Sequence, residues 1–174
     1  VHFNENELDQ FHHRYTYDAD NRITMVETSR DNINWDVDAT YQYYLHGPLM
    51  RTEIGDLKVQ GIDFAYTLHG WIKGVNAGIL DPVRDMGKDG HVSVGNLNQY
   101  VARDAFGYIL GYYSNPGSSV EDYISINSSG VNHFLPNTSG SDLMTFRNNL
   151  FNGNITSMQT ALPNCSTYNA SKTI

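Results

Sequence analysis

The chain has 174 residues, of which 40% are hydrophobic and 17% charged, with a formal charge of −8, one cysteine, 12 tyrosines and 15 glycines. This length suits one ordinary domain or a piece of a larger assembly. A lone Cys165 builds neither a disulfide framework nor a cysteine-based zinc site, no apolar run reaches the roughly 18 to 20 residues of a membrane span, and the scattered Lys and Arg do not form the clustered cations that a nucleic-acid binder needs.

In chain order, short apolar or aromatic runs broken by Gly, Asn, Asp and Pro predict a mostly β protein. Alternation marks strands at 15–17, 22–28, 40–44, 49–54, 61–67 and 71–75. Turn signals fall between them at Asp20-Asn21, His46-Gly47-Pro48, Ile54-Gly55-Asp56 and His69-Gly70. Residues 81–98 (DPVRDMGKDGHVSVGNLN) lack periodicity and read as a long loop or insertion. From 99 to 113 the first half suits a short helix and the second half a strand. Residues 114–174 are less regular, with one alternating piece at 123–126. The stretch 142–151 reads as either a short helix or a strand, with Leu143, Phe146 and Leu150 at helical spacing. The chain opens at Val1 without a signal-peptide profile and stops in the polar stretch 166–174, which predicts a segment of a longer polypeptide. Low charge with abundant Asn, Ser, Thr and Gly suits a secreted or surface-exposed β protein.

Three segments superpose without gaps: 15–23 (YTYDADNRI), 41–49 (YQYYLHGPL) and 64–72 (FAYTLHGWI). Each reads aromatic, any, Tyr, three variable residues, Asn or Gly, any, Ile or Leu. Tyr17 to Tyr43 is 26 residues and Tyr43 to Tyr66 is 23. Aromatics at i and i+2 share one strand face, the Asn or Gly supplies a turn, and the Ile or Leu opens the return strand. Each unit therefore predicts an aromatic-faced β-hairpin. A hairpin alone is marginal in water, so consecutive hairpins are expected to pair into a continuous sheet. The residues that carry this structural pattern are Tyr15, Tyr17, Asp18, Asn21, Arg22, Tyr41, Tyr43, Gly47, Phe64, Tyr66, Gly70 and Trp71, in repeats spanning 15–24, 41–50 and 64–73.

The first repeat, Tyr15-x-Tyr17-Asp18-x-x-Asn21-Arg22-Ile23-Thr24, resembles the YD repeat of the RHS (rearrangement hotspot) proteins. The phrases at 46–76, 101–113 and 150–160 are similar to stretches found between repeats in large secreted bacterial members. The second and third repeats have lost the Asp after Tyr, with Tyr44 and Thr67 in its place. The resemblance implies a spiralling β-sheet shell, a cocoon of many hairpins in which residues 1–174 form one segment. That shell encloses a polypeptide cargo, in bacterial members a C-terminal toxin. The implied partners are the remaining repeats of the same parent chain and the cargo; a glycan or cell-surface receptor enters if the same repeats serve as an adhesive surface. The implied location is secreted or on the bacterial cell surface. The family's self-cleaving aspartate site is not carried over, because Asp81-Pro82 lacks the Gly-rich continuation.

Chemical motifs beyond the repeat are sparse. His12 and His13 are adjacent on a strand and point to opposite faces, which disfavours chelation of one ion. His46 and His69 both precede a turn glycine, and a structural role is the economical reading. Asp18 and Asp20 fit hairpin capping. Asp81, Asp85 and Asp89, with two nearby glycines, form the better calcium-loop candidate, set against solvated loop acids as the favoured reading. No GxSxG elbow is present, Cys165 has no base near it in sequence, and Glu121-Asp122 is the kind of pair any acidic protein offers. Asn-x-Ser/Thr sequons at Asn127, Asn137, Asn154, Asn164 and Asn169 fit Asn and Ser richness in a bacterial chain. The expectation is thus a non-enzymatic protein without metal, cofactor, nucleic-acid partner or membrane insertion.

Overall fold

The structure is a computed structural model that describes residues 2–5, 9–112, 153–155 and 157–163. No helix occurs among the described residues. The strands are β1 (His2–Glu5), β2 (Asp9–Tyr17), β3 (Ile23–Ser29), β4 (Asp36–Tyr43), β5 (Leu49–Ile54), β6 (Gln60–Tyr66), β7 (Ile72–Val75), β8 (Gly107–Gly111) and β9 (Ser157–Ala161). They form one antiparallel sheet in sequence order. The mostly β architecture of consecutive hairpins expected from the sequence is therefore the one found.

The three repeat segments form the β2–β3, β4–β5 and β6–β7 hairpins, and all three close in the same register. Tyr17 pairs with Ile23, Tyr43 with Leu49 and Tyr66 with Ile72, and in each hairpin the register shifts one residue before the tyrosine. Such a bulge kinks and twists the strand locally. It recurs three times because the same residue pattern recurs.

The second half of 99–113 becomes β8, while residues 97–100 form turns rather than the short helix the sequence also allowed. β9 was not marked by any alternation or turn signal. It pairs with β8 from Gly107↔Ala161 to Gly111↔Ser157, a contact between segments far apart in sequence. The pieces at 123–126 and 142–151 lie outside the described residues, as do Cys165 and the Glu121-Asp122 pair.

Residues 76–106 make a long excursion between β7 and β8. Asn76 anchors its base: its N–H donates to Asp63 O at 2.8 Å, its Oδ1 accepts from Asp63 N at 2.8 Å, and its Nδ2 donates to Phe106 O at 2.8 Å. This fully buried asparagine sits at φ +58°, a left-handed conformation that Asn tolerates better than most residues. Gln159 of β9 donates to Gly78 O at 2.9 Å, so the last described strand also holds the excursion in place. Inside the excursion, Asn96 Nδ2 donates to the carbonyls of Lys88 and His91, and Asn98 Nδ2 to that of Gly87. Amide side chains thus stand in for the ladder bonds that an irregular segment lacks.

The buried apolar set among the described residues is small: Ala39, Val75, Ala77, Val101, Ile109, Leu110 and Tyr112. The two largest fully buried side chains are polar, Asn76 and Asp89. No helix among the described residues is long and apolar enough to cross a membrane.

Candidate functional site

Two groups of residues stand out: the hairpin tips, and a cluster of buried charges beneath the 76–106 excursion.

At the tips the repeated sequence produces repeated chemistry. In each hairpin the residue after the second aromatic donates its N–H to the carbonyl four residues on: Asp18 to Arg22 at 2.9 Å, Tyr44 to Pro48 at 2.9 Å and Thr67 to Trp71 at 2.8 Å. That residue's own carbonyl accepts from the N–H of Asn21, Gly47 or Gly70. These three residues have φ of +62°, +117° and +81°, which explains why the position holds only Asn or Gly.

That the second and third hairpins have no aspartate at the position of Asp18 also has a physical account. Asp18 Oδ1 accepts from the N–H groups of Asp20 and Arg22, both at 2.9 Å, and its Oδ2 accepts from Arg22 Nε at 2.7 Å. Those bonds hold its carboxyl below the usual range, the Arg22 N–H foremost. In the third hairpin Thr67 Oγ1 accepts from Trp71 N at 3.2 Å, replacing the Asp18 to Arg22 bond with a hydroxyl. In the second hairpin the corresponding residue is Pro48, which has no N–H, so Tyr44 leaves no donor unsatisfied.

The aromatics link one hairpin to the next. The Arg22 guanidinium lies 4.6 Å from the centre of the Tyr43 ring, and Tyr43 Oη donates to Ile23 O at 2.8 Å. Tyr44 Oη donates to Phe64 O at 2.8 Å and its ring meets Tyr66 edge-on at 6.4 Å. Trp71 packs on Tyr112 at 5.2 Å, and Tyr112 Oη donates to Ile72 O at 2.6 Å. His46 and His69 stack on Tyr44 and Trp71 at 5.3 and 5.0 Å. Tyr41 faces Thr52 across β4–β5. Tyr15 and Tyr17 are different: they are 36% and 51% exposed, because β1 covers only the first part of β2, residues 9–12. Along one face of β2, His13 stacks on Tyr15 at 6.1 Å and meets Phe11 at 5.0 Å.

The second group is assembled on the middle of the sheet. Arg51 of β5 faces Asp63 of β6, and Glu53 faces Gly61, so all four share one sheet face. Arg51 Nε donates to Glu53 Oε1 at 3.1 Å, Nη1 to Asp63 Oδ2, and Nη2 to Asp89 Oδ1 of the excursion at 2.7 Å. Lys58 Nζ lies 2.9 Å from Glu53 Oε2. Asp89 N donates to Asp85 Oδ2 at 2.8 Å. Asp104 accepts from Gln60 Nε2 at 3.1 Å, and its carboxyl is in hydrogen-bond contact with that of Asp85. Asp85 and Asp89 are 3% and 1% exposed, so these two acids are not the solvated loop acids favoured from the sequence.

Glycine makes the packing feasible. A Cβ on Gly87 would run into Arg51 Nη1 and Asp63 Oδ2, and one on Gly61 into Asp89 Oδ2 and Arg51 Nη2. The excursion can approach the guanidinium only where side chains are absent.

Burial governs the electrostatics here. It pushes Asp63 up to about 6 against the pull of Arg51, and raises Asp89 likewise. Asp104 is pushed up to about 9, first by burial and then by its hydrogen bond with Asp85 and the neighbouring carboxylates. Burial opposes the charge on Arg51 too, but Asp63 and Asp89 outweigh it and hold the guanidinium above its ordinary value. Glu53 stays low: burial works against its charge, but the bonds from Lys58 and Arg51 prevail. Beside the cluster opens a cavity of about 280 Å³ lined by Asp81, Asp85, Asp89, Asp104 and Arg103, among others.

The tip residues were legible in the sequence, whereas Arg51, Glu53, Asp63 and Asp104 were not. The available signal was charge at alternating positions, Arg51-x-Glu53, inside a strand flanked by apolar residues. Asp85 and Asp89 stand out in the sequence as acids of a glycine-containing loop, but nothing in it shows what they face. No protein-family model, curated protein or solved structure matches this chain.

Proposed function

We propose that the chain is a non-catalytic segment of an RHS/YD-repeat shell, secreted or on the bacterial cell surface, which joins further repeats of its parent polypeptide to enclose a polypeptide cargo such as a C-terminal toxin. The observation that carries this reading is the ladder of hairpin tips: three hairpins close with the same register, and their tips are tied to one another and then to β8 through Tyr43, Tyr44 and Tyr112. Such a ladder extends by adding hairpins, and the meandering sheet offers strand edges for addition, β1 and β9 each having one neighbour among the described residues.

The test is limited proteolysis of the longest polypeptide that carries this segment. A C-terminal portion protected in the intact chain, and digested once the tips are disrupted by Gly47→Pro together with Gly70→Pro, supports a container. Equal digestion in both overturns it. The 174-residue chain gives a second readout, because open edges make it associate as concentration rises; a monomer at every concentration, with cooperative unfolding, counts against the shell.

The exposure of Tyr15 and Tyr17 favours one alternative, an adhesive surface that stacks these rings on sugars. Glycan-array binding that disappears in Tyr15→Ala and Tyr17→Ala would support it.

A further inference from the structure

The carboxylates beneath the excursion are not balanced by the cations around them. Lys58 offsets Glu53, and Arg51 offsets one of Asp63 and Asp89. The other of that pair and Asp85 are left without a counter-charge, next to the Asp104 carboxyl, which holds its proton at neutral pH, and Arg103 at the cavity wall offsets one of the two. Asp81, which also lines the cavity, adds to the excess; its Oδ1 accepts from Val83 N at 3.0 Å.

Two buried oxygens also lack N–H donors among the described residues. Asp85 Oδ1 and Asp89 Oδ2 accept no hydrogen bond from any N–H group among the described residues, although both side chains are buried and both residues line the cavity. A buried polar atom without a partner is costly, and native proteins leave few of them unless water or an ion completes the site.

The geometry points to a divalent-cation site, best suited to Ca²⁺, formed by Asp63, Asp85 and Asp89, the last two of which line this cavity, with the Asp104 carboxyl as a neighbour. One oxygen from each of the three lies within 4.8 Å of the others. Ca²⁺ accepts irregular cages of oxygen ligands at about 2.3–2.6 Å, whereas Mg²⁺ demands a near-ideal octahedron at about 2.0–2.1 Å and usually keeps several of its waters. All the ligands are hard oxygens, which suit Ca²⁺ and Mg²⁺ over the softer transition metals. Arg51 engages one oxygen each of Asp63 and Asp89, fixing both carboxylates and leaving each a second oxygen. The cavity supplies the entry path and room for the waters that complete the shell. A cation here would bridge β6 to the excursion and lock it onto the sheet. This inference does not depend on the shell reading.

The test is calorimetric titration of the EDTA-stripped, folded 174-residue protein with CaCl₂, and separately with MgCl₂, at constant ionic strength, alongside thermal melts in the same solutions. The expected result is one Ca²⁺ bound per chain, a melting temperature that rises with CaCl₂, and weaker binding of Mg²⁺. Asp85→Asn, which retains an acceptor for Asp89 N, should weaken Ca²⁺ at least tenfold while melting no lower than wild type in EDTA, because it removes a repelled charge. Asp89→Asn, which keeps an acceptor for Arg51 Nη2, serves as the binding test if Asp85→Asn does not fold. The exposed Asp36→Asn should bind as wild type does. Absence of both heat and melting shift up to about 10 mM CaCl₂, beyond the affinity of weak extracellular sites, overturns the assignment. So does undiminished binding in the folded Asp85→Asn or Asp89→Asn protein.

Discussion

Arg51→Met removes the guanidinium on which the carboxylates under the excursion converge, while keeping a long apolar stem in the space between β5 and the excursion. The bonds to Glu53, Asp63 and Asp89 disappear together. Lys58 still neutralises Glu53, so the exposed deficit is that of Asp63 and Asp89, left buried without a counter-charge. Removing one partner from a buried ion pair costs about 3–5 kcal/mol, a large share of the roughly 5–15 kcal/mol that holds a domain together. The loss has a definite pH dependence. An acid that has lost its cation binds its proton more tightly folded than unfolded; the associated stability is fully present below the unfolded value of about 3.9 and is lost as pH rises through the folded one. Asp63 already stands at about 6 with Arg51 in place, so removing Arg51 carries it higher. The deficit of the variant therefore widens from about pH 5 to about pH 8. Urea denaturation of dilute protein at both pH values, followed by intrinsic fluorescence, measures it. A deficit below about 1 kcal/mol at the higher pH, the size expected of an exposed pair, would refute the reasoning, as would a deficit equal at both.

The hairpin tips yield further predictions. Thr67→Val keeps the shape of the third tip but removes the acceptor for Trp71 N, and should cost about 1 kcal/mol in denaturant unfolding. Gly70→Ala places a methyl group in open space but at φ +81°, so its cost of about 1–2 kcal/mol is conformational, and Gly70→Asn should recover part of it. Asp18→Ala should lower the melting temperature at neutral pH. Because the folded-state value of Asp18 is depressed, its contribution is present above the unfolded value and lost as pH falls through the folded one, so variant and wild type should converge in acid. A difference that persists unchanged to low pH would remove Asp18 from the role assigned to it.

The hairpins were legible because everything that specifies them is local. The aromatic pair, the Asn or Gly at positive φ and the returning Ile or Leu lie within nine residues. The bonds that close each turn join residues three or four apart. Even the departures from the repeat are intelligible locally, since Pro48 needs no acceptor and Thr67 supplies one. β9 was missed because its strand signal is weak and its partner β8 lies far away in sequence. The reading of Asp85 and Asp89 failed for a related reason. In sequence they sit in a polar, glycine-containing loop, which ordinarily means solvent, and only the packing of that loop on β5 and β6 buries them.

The amino-acid sequence by itself determined the mostly β class, the position and register of three hairpins, and the turn chemistry at their tips, because those features depend on side-chain alternation and on the φ preferences of a few residues. The tertiary structure alone decided that Arg51 meets Asp89 across 38 positions, that Gly61 and Gly87 clear space for that meeting, and that carboxylates accumulate beside a cavity. The physical reason is the same in each case. A buried charge derives its energy from what surrounds it in space, and for a long irregular excursion no periodicity in the sequence encodes that neighbourhood.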